Sequence, residues 1–231
     1  MRFYNEKQKN NLQKGLKRLY LPKHVMKWAC RNMWVAMACL LSVCAACSHR
    51  DETRSILPPD VALRPGDVVF RQGSGFTSHV VRVADGGGNY SHTGIVVDSA
   101  GQLLVVHAVP GERMSEDEPD RVKADAPEVF FGGMRAAIGA VARCNDSVVA
   151  TKAARAAWQV YQRGTLFDHA YDDTDTVQMY CTELVEHAYK AAGLSLVGQQ
   201  RHEVQLPGLH SRCIFPSDVF RSPDLRIVKT F

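Results

Sequence analysis

Acidic residues are nearly absent from the part of the chain that holds the densest basic charge. Residues 1–47 contain nine Lys or Arg but only Glu6 as an acid, whereas the rest of the 231-residue chain carries 19 basic and 23 acidic side chains. The formal net charge of +4 therefore belongs to this leader. Because residues 48–231 have no basic excess, the main electrostatic support for nucleic-acid binding is missing, and no nucleic-acid partner is predicted.

The chain also lacks a bilayer-spanning apolar run in its leader, internal repeats and low-complexity segments. The apolar run Trp34–Ala46 has 13 residues, which as a helix span about 20 Å against a hydrocarbon core of ~30 Å. A hydrophobic content of 45% suits one globular domain and excludes disordered, collagen-like and coiled-coil proteins.

A basic segment followed by a short apolar run and small residues is typical of a secretory signal. The run ends in Cys44-Ala45-Ala46-Cys47, which resembles the bacterial lipobox, whose cysteine becomes the diacylated first residue. Cys47 is the preferred lipidation site because two alanines precede it, and Cys44, preceded by Val43, is the alternative. The expected location is the periplasmic side of a bacterial cell envelope, with a lipid anchor in the membrane and no spanning helix.

The predicted organisation is a leader over residues 1–47, a linker over residues 48–62 and one folded domain over residues 63–231. The linker is polar and is stopped by Pro58-Pro59. Two alternatives stay open for the leader: Met26 as the true start, and a buried apolar helix in place of a signal.

Mixed elements predict an α+β domain whose consecutive strands form an antiparallel sheet. Strands are predicted at 68–70, 92–97, 103–109, 134–142 and 225–228, helices at 147–162 and 181–192, and loops at 110–127 and 167–178. The pattern of Phe76–Ala84 fits either a helix or a strand.

Cys181 has the setting of a nucleophile. It is one of three cysteines beyond residue 47, with Cys144 and Cys213, which either pair as a disulfide or simply pack. Cys181 follows a polar loop and opens a predicted helix, where unsatisfied N–H groups and the helix dipole lower the pKa of a thiol. The same N–H groups suit a developing oxyanion.

His92 and His107 lie on two strands of a predicted hairpin with its turn at Asp98–Gly101. If the turn is centred between Ser99 and Ala100, the two histidines lie opposite each other with Cβ atoms about 5 Å apart. His92 is then the base for Cys181, and His107 fixes the tautomer of His92.

These residues sit in motifs that resemble the circularly permuted NlpC/p60-like cysteine hydrolases, in particular the YiiX/YebB-like branch. The matching segments, in order, are Arg64–Phe70, Asn89–Val97, Leu166–Asp168, Tyr180–Val185, Phe215–Phe220 and Ser222-Pro223. The resemblance covers about residues 63–228. It implies a papain-like core, with an antiparallel sheet packed against the helix that carries the cysteine. It also implies Cys181 as nucleophile, His92 as base and His107 as the orienting residue, where the branch usually has Glu.

The first functional hypothesis is an envelope-anchored cysteine hydrolase that cleaves an amide or ester, in a peptidoglycan peptide or a lipid or acyl substrate, through a Cys181 thioester and without a cofactor. The second is an inactive lipoprotein that binds a peptide or acyl chain in the same cleft. The third is a zinc site formed by His92, His107 and Cys181, although no Cys-x-x-Cys or His-x-x-x-His pair supports it after residue 47.

Overall fold

The structure, a computed structural model, describes residues 54–112, 115, 117–174, 176–206 and 209–231. The predicted leader, Cys47 and its alternative Cys44 lie outside these residues, so the division into leader, linker and domain stays a prediction. Among the described residues, no helix combines the length and apolar character needed to cross a membrane.

The strands of the described residues form one six-stranded sheet and two small two-stranded sheets. They are β1 (Val68–Arg71), β2 (His92–Ser99), β3 (Gln102–Ala108), β4 (Val122–Asp125), β5 (Gly139–Cys144), β6 (Leu166–Phe167), β7 (Gln178–Met179), β8 (His202–Leu206), β9 (Leu209–Cys213) and β10 (Leu225–Thr230). The large sheet has the order β10-β5-β1-β2-β3-β4, and all its neighbours are antiparallel. The predicted α+β class and antiparallel sheet are confirmed.

Helices of the described residues lie between these strands along the chain. They are α1 (Phe76–Ala84), α2 (Pro127–Phe130), α3 (Ser147–Gln162), α4 (Cys181–Ala191) and α5 (Pro216–Phe220). The side chain of Asp146 caps α3 by accepting from the backbone N–H groups of Val148 and Val149, at 2.8 and 3.1 Å. This cap explains why the helix begins where the sequence predicts.

The large sheet is buried on both faces near its centre. Alternate residues of β2 point to opposite faces: Ile95 and Val97 join a core with Leu184 and Val185 of α4, whereas Val96 packs with residues of α2. The cysteine-bearing helix therefore packs on the sheet as the family resemblance implied.

Two predictions of local structure are corrected, and one hairpin was missed. The segment at 110–127 is not all loop, because Val122–Asp125 pairs with β3 as the edge strand β4. The strand predicted at 134–142 begins only at Gly139, since the preceding residues form turns. The hairpin formed by β8 and β9 was not predicted at all. The ambiguous segment Phe76–Ala84 is a helix.

The register of the histidine hairpin also differs from the prediction by two residues. Ser99 pairs with Gln102, so the loop consists of Ala100 and Gly101, both at positive φ (55° and 86°). Two such residues make the tight turn that matches the twist of paired strands. By this register His107 lies opposite Gly94 rather than opposite His92, but a shift of two keeps both rings on one face.

Gly94 makes room for the two histidine rings. A Cβ built on Gly94 would lie 2.7 Å from Val105 Cγ1 and 3.1 Å from His107 Cβ. Because His92 and Gly94 are two residues apart on one strand, they share a face. The missing side chain therefore lets His92 reach diagonally to His107.

Replacing Gly94 with Ala is expected to lower the free energy of unfolding by about 1–3 kcal/mol, because the added methyl overpacks a buried strand pair. Denaturant unfolding of the purified variant measures this. Gly75→Ala is the control, since a Cβ there meets no atom within 4 Å and should cost less than about 1 kcal/mol. Equal losses in the two variants would contradict the steric argument.

Candidate active site

Cys181 is the first residue of α4, and neighbouring groups fix this helix start. The backbone N–H of Tyr180 donates to Glu183 Oε2 at 3.2 Å, which closes the first turn. Ile214 holds the same turn from outside: its N–H donates to the Tyr180 hydroxyl at 2.9 Å, and its carbonyl accepts from Thr182 Oγ1 at 2.7 Å. The thiol therefore has a rigid support.

Two features around the Cys181 sulfur shift the pKa of the thiol in opposite directions. Burial raises the pKa of the thiol to about 11, against hydrogen bonds from the backbone N–H groups of Thr93, Thr182 and Cys181 itself, which favour the thiolate. The expected lowering of the thiol pKa is therefore wrong for the resting site, because loss of hydration outweighs the helix N-terminus. The bond from Thr93 places the sulfur beside the residue that follows His92.

The two predicted histidines are in direct contact and continue into a carboxylate. His92 Nε2 lies 2.9 Å from His107 Nδ1, and His107 Nε2 lies 3.2 Å from Asp125 Oδ2. Both imidazoles are buried. Burial holds the pKa of His92 well below its usual range, and it lowers that of His107 to about 4 despite the hydrogen bond to Asp125. Both rings are therefore neutral at pH 7.

The order of groups sets the direction of the hydrogen bonds. An ionised carboxylate only accepts, so His107 Nε2 carries a hydrogen and donates to Asp125. The Nδ1 atom of neutral His107 is then an acceptor, and His92 Nε2 donates to it. This leaves His92 Nδ1 unprotonated. These two hydrogen bonds thus assign to His92 the tautomer that a base for Cys181 needs.

Positively charged side chains surround Asp125, the carboxylate that ends this series of hydrogen bonds. Asp125 accepts from Arg135 Nη1 at 3.0 Å and lies 3.0 Å from Lys123 Nζ, while Glu112 is paired with Arg71 and lies 3.1 Å from Arg135 Nη1. Burial alone would raise the pKa of Asp125, but the bond from His107 and the nearby positive charges hold it well below its usual range. Asp125 is thereby kept ionised.

Cys181 and His92 open onto one cleft of about 350 Å³. Its wall is largely apolar and aromatic, with Tyr171, Tyr180 and Phe215 among the lining residues. Its charged lining residues are Arg71, Glu112 and Arg135. The cleft therefore combines a largely apolar wall with one charged side near the thiol.

The structure brings together the three predicted site residues in this region, and their roles remain predictions. Asp125 was missed because it lies on a four-residue strand within an acidic stretch; its only sequence signal is the short alternation Val122-Lys123-Ala124-Asp125. Cys144 and Cys213 are buried free thiols. Among the described residues, no group of three or more His, Cys, Asp or Glu is arranged to hold a metal ion.

Comparisons with known proteins show a matching family and a similar fold. Residues 62–229 match a family described as permuted papain-like amidase enzymes, YaeF/YiiX, C92 family. A crystal structure titled metalloprotein yiiX, from Escherichia coli O157:H7, has a similar fold, with a TM-score of 0.58, 20% sequence identity and coverage of 73% of this chain and 97% of that chain. None of the curated proteins matches the chain in sequence.

The buried histidines predict a fall in stability at mildly acidic pH. Because the pKa of His107 is about 4 in the folded chain and ordinarily 6.5, the unfolded chain binds the proton more tightly. The free energy of unfolding should be full above about pH 6.5 and fall towards pH 4. The carboxylates with lowered pKa do not offset this, since their contribution is lost only below the ordinary carboxylate range.

Denaturant unfolding between pH 4.5 and 7 tests this sign. His107→Gln should reduce the slope by at most about 1.4 kcal/mol per pH unit, the value for one proton. Exposed His79→Gln is the control and should leave the slope unchanged. A wild-type stability that is flat or rises as the pH is lowered from 6.5 would contradict the buried neutral pair.

Proposed function

The chain belongs to the permuted papain-like amidases of the YaeF/YiiX, C92 family and is thus an enzyme of the cysteine hydrolase type, and on that premise we propose that it cleaves an amide or ester bond through a Cys181 thioester. The observation that carries the proposal is the hydrogen-bonded series from Asp125 through His107 to His92, whose last member lines the same cleft as Cys181.

The first half of the reaction transfers the acyl group to the enzyme. His92 Nδ1 takes the thiol proton as the sulfur attacks the carbonyl carbon, so a C–S bond forms and the carbonyl oxygen becomes an oxyanion. Backbone N–H groups at the start of α4 stabilise this charge. The intermediate then collapses: the bond to the leaving nitrogen or oxygen breaks, and His92 returns its proton to that atom.

The second half restores the thiol. His92 takes a proton from water as the water oxygen attacks the thioester, the C–S bond breaks, and the sulfur leaves as a thiolate that recovers the proton from His92. In both halves His92 becomes an imidazolium for a moment. His107 accepts a hydrogen bond from it, and the negative charge of Asp125 stabilises the cation through His107.

This mechanism predicts the pH dependence of Cys181 alkylation. Between the lowered pKa of His92 and the thiol pKa of about 11, proton transfer within the pair leaves the total charge unchanged. Iodoacetamide should therefore alkylate Cys181 at a rate that is flat from about pH 6 to 8. In His92→Ala the rate should rise about tenfold per pH unit towards the thiol pKa. Mass spectrometry of the Cys181 peptide gives both rates.

Asp125→Asn tests, in the same assay, the carboxylate that hydrogen-bonds to His107. It should lower the plateau by about tenfold or more, because the imidazolium loses its stabilising charge. Asp117→Asn, an exposed change in the same segment, should leave the plateau in place. A wild-type rate that rises with pH over the whole range, like that of an isolated thiol, would show that His92 does not act as a base. That result would favour a protein that only binds a peptide or acyl chain in the cleft.

We propose further that the enzyme is exported and anchored to the bacterial envelope by acyl chains on Cys47, where a peptidoglycan peptide or a lipid would be its substrate. The support is the basic leader, the apolar run before the cysteine and the alanines at positions 45 and 46.

Labelling with radioactive palmitate in a bacterial host tests the anchor. Cys47→Ala should abolish both labelling and membrane association, because the acylated atom is lost. Cys44→Ala is the matched control and should retain both. Labelling that persists in Cys47→Ala but disappears in Cys44→Ala would move the site to Cys44, and labelling of neither wild type nor variants would remove the anchor.

A further inference from the structure

Counted over the described residues, the charged cluster beside the cleft carries one more positive charge than negative. Its cations are Arg71, Lys123 and Arg135, and its anions are Glu112 and Asp125. His92 and His107 add no charge, since both rings are neutral at pH 7. A partly buried network with an unmatched charge is costly unless an anion joins it.

Arg71 shows that the cleft wall can hold an anion. Its side chain is only 3% exposed and lines the cleft. Nη1 donates to the Phe130 carbonyl at 2.9 Å and Nη2 pairs with Glu112, but the buried Nε finds no hydrogen-bond partner within the described part of the chain. Arg71 therefore fixes a positive charge at the cleft wall that the described residues do not fully satisfy.

Arg135 is the group that can reach a ligand. Its side chain is 34% exposed and lines the same cleft. Only Nη1 is engaged, with Asp125 and Glu112. Among the described residues, none accepts a hydrogen bond from Nε or Nη2. These two donors form the planar fork that binds a carboxylate through both oxygens.

The start of α1 adds donors at the same side of the cleft. Ser74 Oγ donates to the carbonyl of Met134 at 3.1 Å, which joins this segment to the residue before Arg135. Gly75 supplies no side-chain cap, and Thr77 and Ser78 line the cleft. The positive end of a nine-residue helix thus lies on the side that holds Arg135.

We infer that the cleft selects substrates with a free carboxylate near the scissile bond, bound by the open edge of Arg135 and by the field of Arg71 and the start of α1. Such a carboxylate restores charge balance in the cluster. The inference rests on the proposed function and narrows its substrate class to anionic peptides or amino-acid derivatives, since a neutral acyl chain gives Arg135 no partner.

The test uses reagents that differ only in this charge. Iodoacetyl derivatives of glycine, β-alanine and 4-aminobutyrate, each with its own carboxamide, are applied to the detergent-solubilised full-length chain, and modification of the Cys181 peptide is followed by mass spectrometry. Three spacer lengths are used so that no distance between the thiol and the carboxylate-binding group has to be assumed. The carboxamide reports the intrinsic reactivity of the thiol, so the acid-to-amide rate ratio isolates recognition of the carboxylate.

For at least one spacer, the wild-type ratio should exceed one by about tenfold, as expected for a charge-assisted hydrogen bond. Arg135→Gln should bring it close to one, and Arg135→Lys, which keeps the charge without the fork, should give an intermediate value. Lys123→Gln is the matched control: it removes the same charge from the same cluster, but Lys123 does not line the cleft, so the ratio should persist.

Ratios near one for all spacers in the wild type would overturn the inference. So would an equal loss in Arg135→Gln and Lys123→Gln, since that result would indicate a general field in place of a subsite. Failure of the proposed function is separate: His92→Ala would then leave the carboxamide rate and its pH dependence unchanged, whatever the ratio.

Discussion

The hydrogen bond between His107 and Asp125 is the constraint on which the rest of the site depends. A neutral imidazole donates through one nitrogen and accepts through the other, so two imidazoles in a row can point their hydrogens either way. The carboxylate removes this choice because it can only accept. Through His107 it leaves the free nitrogen of His92 without a hydrogen, although Asp125 itself does not contact His92 through a hydrogen bond of the described residues.

An ionised carboxylate at the edge of a sheet needs cations, and these link distant parts of the chain. Lys123 comes from β4 itself, Arg135 from the turn before β5, and Arg71 from the end of β1, where it lies opposite His92. Arg71 and Arg135 therefore add positive charge near Asp125 and also line one wall of the cleft. Packing of this edge and the electrostatics of the site are therefore coupled, because the partly buried charges compensate each other.

Local signals in the sequence were sufficient for the elements that carry Cys181, His92 and His107. Two apolar runs on either side of a turn at Asp98–Gly101 predicted the hairpin, and helices were predicted at 147–162 and 181–192. Asp125 was not predicted as a site residue because its four-residue strand is too short for a convincing alternation, and its pairing with β3 is set by tertiary contacts. The hairpin register was wrong by two residues, since the turn accepts Ala100 at positive φ, where glycine or asparagine is the usual signal.

The thiol pKa shows why position on a helix does not by itself define an activated cysteine. The N–H groups around Cys181 are present as predicted, yet the resting thiol is neutral because burial removes water from the charged form. The same burial keeps His92 neutral. Both partners thus resist ionisation alone. In the proposed mechanism, transfer of a proton between them would create two opposite charges that stabilise each other in a medium of low dielectric constant. The N–H groups then act on the charge that appears during reaction, first on sulfur and then on the carbonyl oxygen. In the proposed mechanism they would therefore stabilise the transition state more than the resting thiolate.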